Sequence, residues 1–156
     1  MYKDHMMETM KEAISNVLET MFFQPVQIAD TNCTLQEWFA HNRSLLGATL
    51  NFKGPLSGSL CLLIPVEIIS EITANFLGLR EEEVNEEQKR DSIKEAINII
   101  GGHMLSLFDR KDAFKLSIPE LIEEEDLTDN KLGDLKGDFI LIETEESCLA
   151  AGIAIY

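Results

Sequence analysis

The sequence predicts an α+β fold with two pseudo-symmetric halves, each a helix followed by three strands, which build one antiparallel-rich sheet with the long helices packed on one face. Three observations lead there: two long stretches with apolar residues at helical spacing, paired β-like runs separated by turn residues, and a self-similarity when the chain is shifted by 83 positions. With 156 residues and 45% hydrophobic content, the chain is the size of one domain that buries a core without disulfide or metal help.

From about Glu8 to Phe23, the residues Met10, Ala13, Ile14, Val17, Leu18 and Met21 recur at helical spacing, and Pro25 ends the run. "PVQIADT" reads as a short strand, and "LQEWFAHNRS" as a loop with a turn of helix, in which Trp38 and Phe39 form a satellite core contact. "LLGATLNFKG" and "GSLCLLIP" are β runs joined by "GPLSG", the pattern of an antiparallel hairpin. Pro65 can open a helix over "VEIISEITANFLG", where Ile68, Ile69, Ile72, Phe76 and Leu77 share helical spacing and Gly78 supplies a left-handed cap.

"LREEEVNEEQKRD" is an acidic connector or the exposed first turns of the next helix, because acids near a helix N-terminus are favoured by its dipole. That helix should break around "DRKDAF". "KLSIPELI" is then a short extended piece ended by Pro119, the run Glu123 to Asp126 is solvated, and "GDFILIE" and "SCLAAGIAIY" close the chain as β runs joined through "TEES". The apolar last run invites pairing with a second copy, so a homodimer is expected.

The shift of 83 lays Lys11-Glu12-Ala13-Ile14 on Lys94-Glu95-Ala96-Ile97, Glu8 on Asp91 and Met21 on Met104. We read one domain over 1–156 with an internal repeat of approximately 8–65 and 91–156.

Charge narrows the partners. A formal charge of −15, from 28 acids against 13 bases, argues against nucleic acid and anionic membranes, which demand clustered Lys and Arg. Cys33, Cys61 and Cys148 are odd in number and lack CxxC pairing, which suggests neither a disulfide framework nor a zinc site and points to a reducing, cytoplasmic home. The start lacks the basic-then-apolar order of a signal peptide, and no apolar run approaches the ~20 residues of a membrane span.

Within "DSIKEAINIIGGHML", the steps of four and three put Asp91, Glu95, Asn98 and Gly102 in a stripe roughly 60° wide. Ile93, Ile97, Ile100, Met104 and Leu107 fall opposite, so the stripe looks outward from a rigid helix. Adjacent glycines inside a helix cost about 1 kcal/mol each relative to Ala, which favours close approach of another backbone at Gly102, with helix-to-helix packing inside the protein an equal account of Gly101. His103 has no second His or Cys at ligand spacing and reads as structural or exposed. Catalytic triads, phosphate loops and dinucleotide fingerprints are absent from the sequence.

The spacing D-x-x-x-E-x-x-N-x-x-x-G at Asp91, Glu95, Asn98 and Gly102 resembles the motif of the CheC/CheX-type chemotaxis phosphatase family. "FKGPLSGSLCLLIP", the following helix ending in "FLG", "SIPELI" and "LAAGIAIY" resemble its hairpin, second helix and last strands, so the likeness covers nearly the whole chain. The first helix carries Ser15 and Glu19 where the second has Asn98 and Gly102, which is closest to the single-motif CheX type. Asn16 lies one residue too far, about 100° around the helix.

The resemblance implies hydrolysis of the aspartyl phosphate on a CheY-like response regulator, with Asn98 positioning the attacking water and Glu95 pairing with a cation on the regulator. Asp91 and Gly102 join them as binding residues. It implies no cofactor of the chain's own, Mg²⁺ within the regulator's site, and a homodimer. Two alternatives stay open: a non-catalytic module that binds a receiver or flagellar-switch component through the same face, and a self-standing metal hydrolase using the acidic clusters.

Overall fold

The structure, a computed structural model, describes residues 2–29, 34–41, 44–108, 114–122 and 137–156. Four helices are described: α1 (Tyr2–Thr20), α2 (Leu35–His41), α3 (Val66–Leu77) and α4 (Glu86–Phe108). The strands are β1 (Gln27–Ile28), β2 (Leu45–Lys53), β3 (Gly58–Pro65), β4 (Lys115–Leu116), β5 (Glu120–Ile122), β6 (Asp138–Glu143) and β7 (Cys148–Ile155). The run Glu123 to Asp126 and Cys33 lie outside the described residues.

Both hairpins form as their turn residues predict. β2 pairs β3 antiparallel from Leu45 with Pro65 to Phe52 with Gly58, and β6 pairs β7 from Asp138 with Ile153 to Glu143 with Cys148. They meet edge to edge through β3 and β7, giving the order β1-β6-β7-β3-β2-β4, with β5 also on β2. Each half thus lends its short first strand to the other half's hairpin. β7 therefore lies at the centre of the sheet, which corrects the expectation that it offers a free edge to a second copy: its backbone groups are already paired on both sides.

α1, α3 and α4 cover one face of the sheet. Met10, Ile14, Leu18, Ile69, Ile97 and Met104 interlock there with Leu50, Leu60, Leu62 and Ile153, all within a few per cent of full burial. On the opposite face α2, read from sequence as a loop with one turn of helix, is a seven-residue helix. Trp38 and Phe39 pack there against Leu45, Leu63 and Ala150, and the Trp38 indole N–H donates to the Cys148 carbonyl at 3.0 Å. The satellite core expected at these two aromatics is thus observed, because alternate β residues point through the sheet and need a cover of their own.

Helix ends differ from expectation at α1 and agree at α3. α1 begins before Glu8 and stops at Thr20, after which Phe23 turns through the left-handed region at φ 51°. That turn buries Phe22, stacked 4.6 Å from Phe76, and leaves Met21 and Phe23 exposed, so Met21 is no core residue. α3 follows Pro65 and ends at Gly78, whose φ of 70° a Cβ would resist. A 3₁₀ turn, Glu81–Glu83, then leads to Asn85, which caps α4 reciprocally: its side-chain oxygen accepts from the Gln88 N–H at 2.8 Å, and the Gln88 side chain accepts from the Asn85 N–H at 3.0 Å.

Candidate functional site

α4 carries the polar stripe, and its capping box and apolar face hold it rigidly over the sheet. Asp91, Glu95 and Gly102 are exposed, and Asn98 is half-buried. The buried side is set further round than the periodicity predicts: Leu105 is buried while Leu107 is half-buried. Gly101 explains the rotation, since its missing side chain lets the 101/105 side of α4 settle on Leu50 of β2. Packing against the sheet, and not the helix-to-helix packing expected from sequence, therefore accounts for Gly101, because strand side chains lie beneath it, whereas Gly102 faces open space.

Two grooves run along α4 and share Asp91 and Glu95 as the ridge between them. One, of about 310 Å³, is lined by Asp91, Lys94, Glu95, Asn98, Ile118 and Pro119. The other, of about 410 Å³, lies between the ridge and the end of α3, with Phe76 and Leu77 as its apolar wall. The structure thus brings Asp91, Glu95 and Asn98 into one groove and leaves Gly102 a turn further along the same face.

Glu95 has no hydrogen-bond or ion-pair partner among the described residues. Among the described residues Asp91 has only a long contact, 3.8 Å, to the half-buried Lys94, which contributes little at a solvated surface. A carboxylate held out on a rigid helix and left unpaired can take a cation from another molecule at small desolvation cost. Asn98 lines this groove beside Ile118 and Pro119, and among the described residues its carboxamide makes no hydrogen bond, which leaves a donor and an acceptor for a small ligand such as water.

Ile118 is the residue that sequence reading missed. "KLSIPELI" does not end at Pro119; it continues into β5, and both β4 and β5 pair with β2. Leu116 stands opposite Phe52 and Glu120 opposite Thr49, so three residues on this edge face two on β2: a one-residue bulge at Ser117-Ile118-Pro119. The Ser117 N–H donates to the Asn51 carbonyl at 2.8 Å, and the Asn51 N–H donates to Ser117 Oγ at 2.9 Å. The isolated Pro in a β-like run was the available signal.

The first helix presents no matching Asn. Ser15 is half-buried, and Asn16 turns toward α4, where its Nδ2 lies 3.4 Å from Nε2 of His103. His103 serves an interhelical contact there, in keeping with its structural reading. Among the described residues no three His, Cys, Asp or Glu side chains gather to hold a metal ion, and no helix is long and apolar enough to cross a membrane. The Cys61 thiol is pushed up to about 12 by burial and is inert as a nucleophile.

A model of the family described as chemotaxis phosphatase CheX matches residues 46–143. Among solved structures, chemotaxis protein CheX from Vibrio vulnificus is similar at 18% identity, over 97% of this chain and 96% of that one, with a TM-score of 0.73. The CheX-CheY-BeF3-Mg²⁺ complex from Borrelia burgdorferi is similar at 15% identity, over 96% of each chain, with a TM-score of 0.70. Thermotoga maritima FliY is similar at 17% identity, over 96% of this chain and 88% of that one, with a TM-score of 0.55. No curated protein matches the chain.

Proposed function

The chain belongs to the CheX family of chemotaxis phosphatases, and on that premise we propose that it hydrolyses the aspartyl phosphate of a CheY-like response regulator through the outward face of α4. The observation that carries this reading is the shared groove of Glu95 and Asn98, with Glu95 unpartnered among the described residues and Asn98 walled by Ile118 and Pro119.

Water attacks phosphorus, the bond from phosphorus to the aspartyl oxygen breaks, and the products are inorganic phosphate and a free carboxylate. Such a transfer requires a water held in line with the leaving oxygen and little covalent help. The Asn98 carboxamide oxygen accepts from that water and its N–H donates to the water or to a phosphoryl oxygen; an amide is too weak a base to take the proton outright. Glu95 pairs with a cation of the regulator and sets the angle at which Asn98 enters. Asp91 extends the same negative rim, and Gly102 leaves room for the regulator's backbone. The regulator supplies Mg²⁺, in keeping with the CheX-CheY-BeF3-Mg²⁺ composition of the Borrelia burgdorferi complex.

The test is single-turnover loss of phosphate from a phosphorylated, Mg²⁺-loaded CheY-like receiver. Acceleration by the wild type that Asn98→Ala abolishes while still binding supports the reading. Binding without acceleration establishes the second reading instead, a non-catalytic docking module, which the groove also favours because only Asn98 is asked to touch reacting atoms.

The exchanged short strands support reading 1–156 as one domain grown from a duplicated unit. A homodimer in the reducing cytoplasm belongs to the same proposal. Sedimentation at micromolar concentration tests it, and a monomer under those conditions would remove it.

A further inference from the structure

Ile118 is 86% exposed, the most exposed large apolar side chain among the described residues, yet it stands between two strands that both pair with β2. By strand alternation it shares the helix-side parity of Phe114 and Leu116, both packed against the main core. The bulge breaks that parity immediately afterwards: Leu121, not Glu120, is the next residue packed against the core. The extra residue thus lifts Ile118 out of the core layer and into the wall of the groove beside Asn98. Ser117 ties one side of the bulge to Asn51 by two hydrogen bonds, Pro119 restricts the other, and pairing to β2 resumes at Glu120. The side chain is therefore presented in water with little backbone freedom to lose on contact.

Bulges also blunt sheet edges, and a bulge with Pro would do that here. The bulge, the Pro and the short strands suffice for edge protection, however, and none of them requires a large apolar side chain standing in water. The neighbours of Ile118 point to a partner of definite chemistry. Asp91 and Glu95 form an acidic ridge, with Ile118 and Pro119 on one side and Phe76 and the exposed Leu77 on the other. The complement of that surface has a cation flanked by apolar side chains, next to the group that Asn98 serves.

We infer that the bulge at Ser117-Ile118-Pro119 is a docking element, and that Ile118 grips an apolar side chain of the receiver beside its phosphoryl pocket, adjacent to the cation that Glu95 takes. This rests on the phosphatase reading and adds to it an affinity-determining residue that lies off the motif helix. Because Ile118 touches the receiver's rim and not the reacting atoms, it contributes equally to ground and transition states, and its loss raises KM with kcat unchanged.

The test compares wild type, Ile118→Ser and Ile118→Leu. Each is titrated against a CheY-like receiver loaded with Mg²⁺ and beryllium fluoride, and assayed for phosphate loss over a range of phosphorylated receiver. Circular dichroism checks the fold, which an exposed site should leave intact. The expected result is about tenfold weaker binding and higher KM for Ile118→Ser at an unchanged saturating rate, with Ile118→Leu restoring both to within about twofold. Wild-type binding by Ile118→Ser overturns this inference alone and leaves the bulge as edge protection. A fall in the saturating rate at unchanged affinity also overturns it. A wild type that neither binds nor accelerates the receiver removes the phosphatase reading and this inference together.

Discussion

Gly101 and Gly102 are consecutive residues of one helix with opposite surroundings. A Cβ on Gly101 would lie 2.5 Å from Cδ2 of the buried Leu50, whereas a Cβ on Gly102 would meet nothing within 4 Å. Substitution by Ala should therefore separate them. Gly102→Ala should stabilise the fold by about 0.5–1 kcal/mol through helix propensity and still lower receiver binding, because the added methyl group occupies the space left for a partner. Gly101→Ala should instead cost about 1 kcal/mol net, overpacking outweighing propensity. Urea unfolding paired with receiver titration reads both; a Gly102→Ala protein that binds as well as wild type would show that the open space is not used.

Asn98→Ala should lower the single-turnover rate about 100-fold while changing affinity for a beryllium-fluoride-loaded receiver by less than about threefold. A matching loss in both quantities would assign Asn98 to docking.

Glu95→Gln should weaken receiver binding about tenfold and flatten its dependence on ionic strength, since the interaction removed is between charges across an interface. Titrations at low and high salt provide the comparison. An unchanged salt slope would mean that no cation meets Glu95.

Glu71 lies on α3 away from the groove, and its carboxyl is held above the ordinary value of 4.5 by partial burial first and then by Glu146, Glu81 and Glu145. A raised carboxyl favours the folded state below its unfolded value, and that contribution is lost as pH rises through the folded value. Glu71→Gln should thus raise the Tm at pH 7 by a margin worth less than about 1 kcal/mol, with the gain fading below pH 4.5 and in high salt. Thermal melts from pH 4 to 8 check the sign; a gain that grows toward low pH would contradict it.

Thr73 is fully buried in α3, and its hydroxyl has no hydrogen-bond partner among the described residues. Thr73→Val keeps the branched shape and removes the stranded polar atom, so it should stabilise the fold by about 1 kcal/mol. A loss on denaturant titration would reveal a hydrogen bond made through bound water.

Local chemistry made much of the site readable from the chain itself. Asp91, Glu95, Asn98 and Gly102 align because a helix advances by a constant angle. The two hairpins announce themselves through "GPLSG" and "TEES", and Gly78 ends α3 because a left-handed residue suits Gly. Those relations connect residues only a few positions apart, and the backbone enforces them wherever the segment lies.

What tertiary structure decided depends on pairings between distant residues. β7 went to the centre of the sheet, and so lost its free edge, because it found β3 as well as β6. Gly101 became a packing residue because β2 brought Leu50 beneath it. Ile118 became a groove wall because three residues of one edge met two of β2. The sequence by itself determined the motif helix and the face it shows; only the assembled sheet decided what stands beside that face, since register across strands is set by the partner and not by the strand alone.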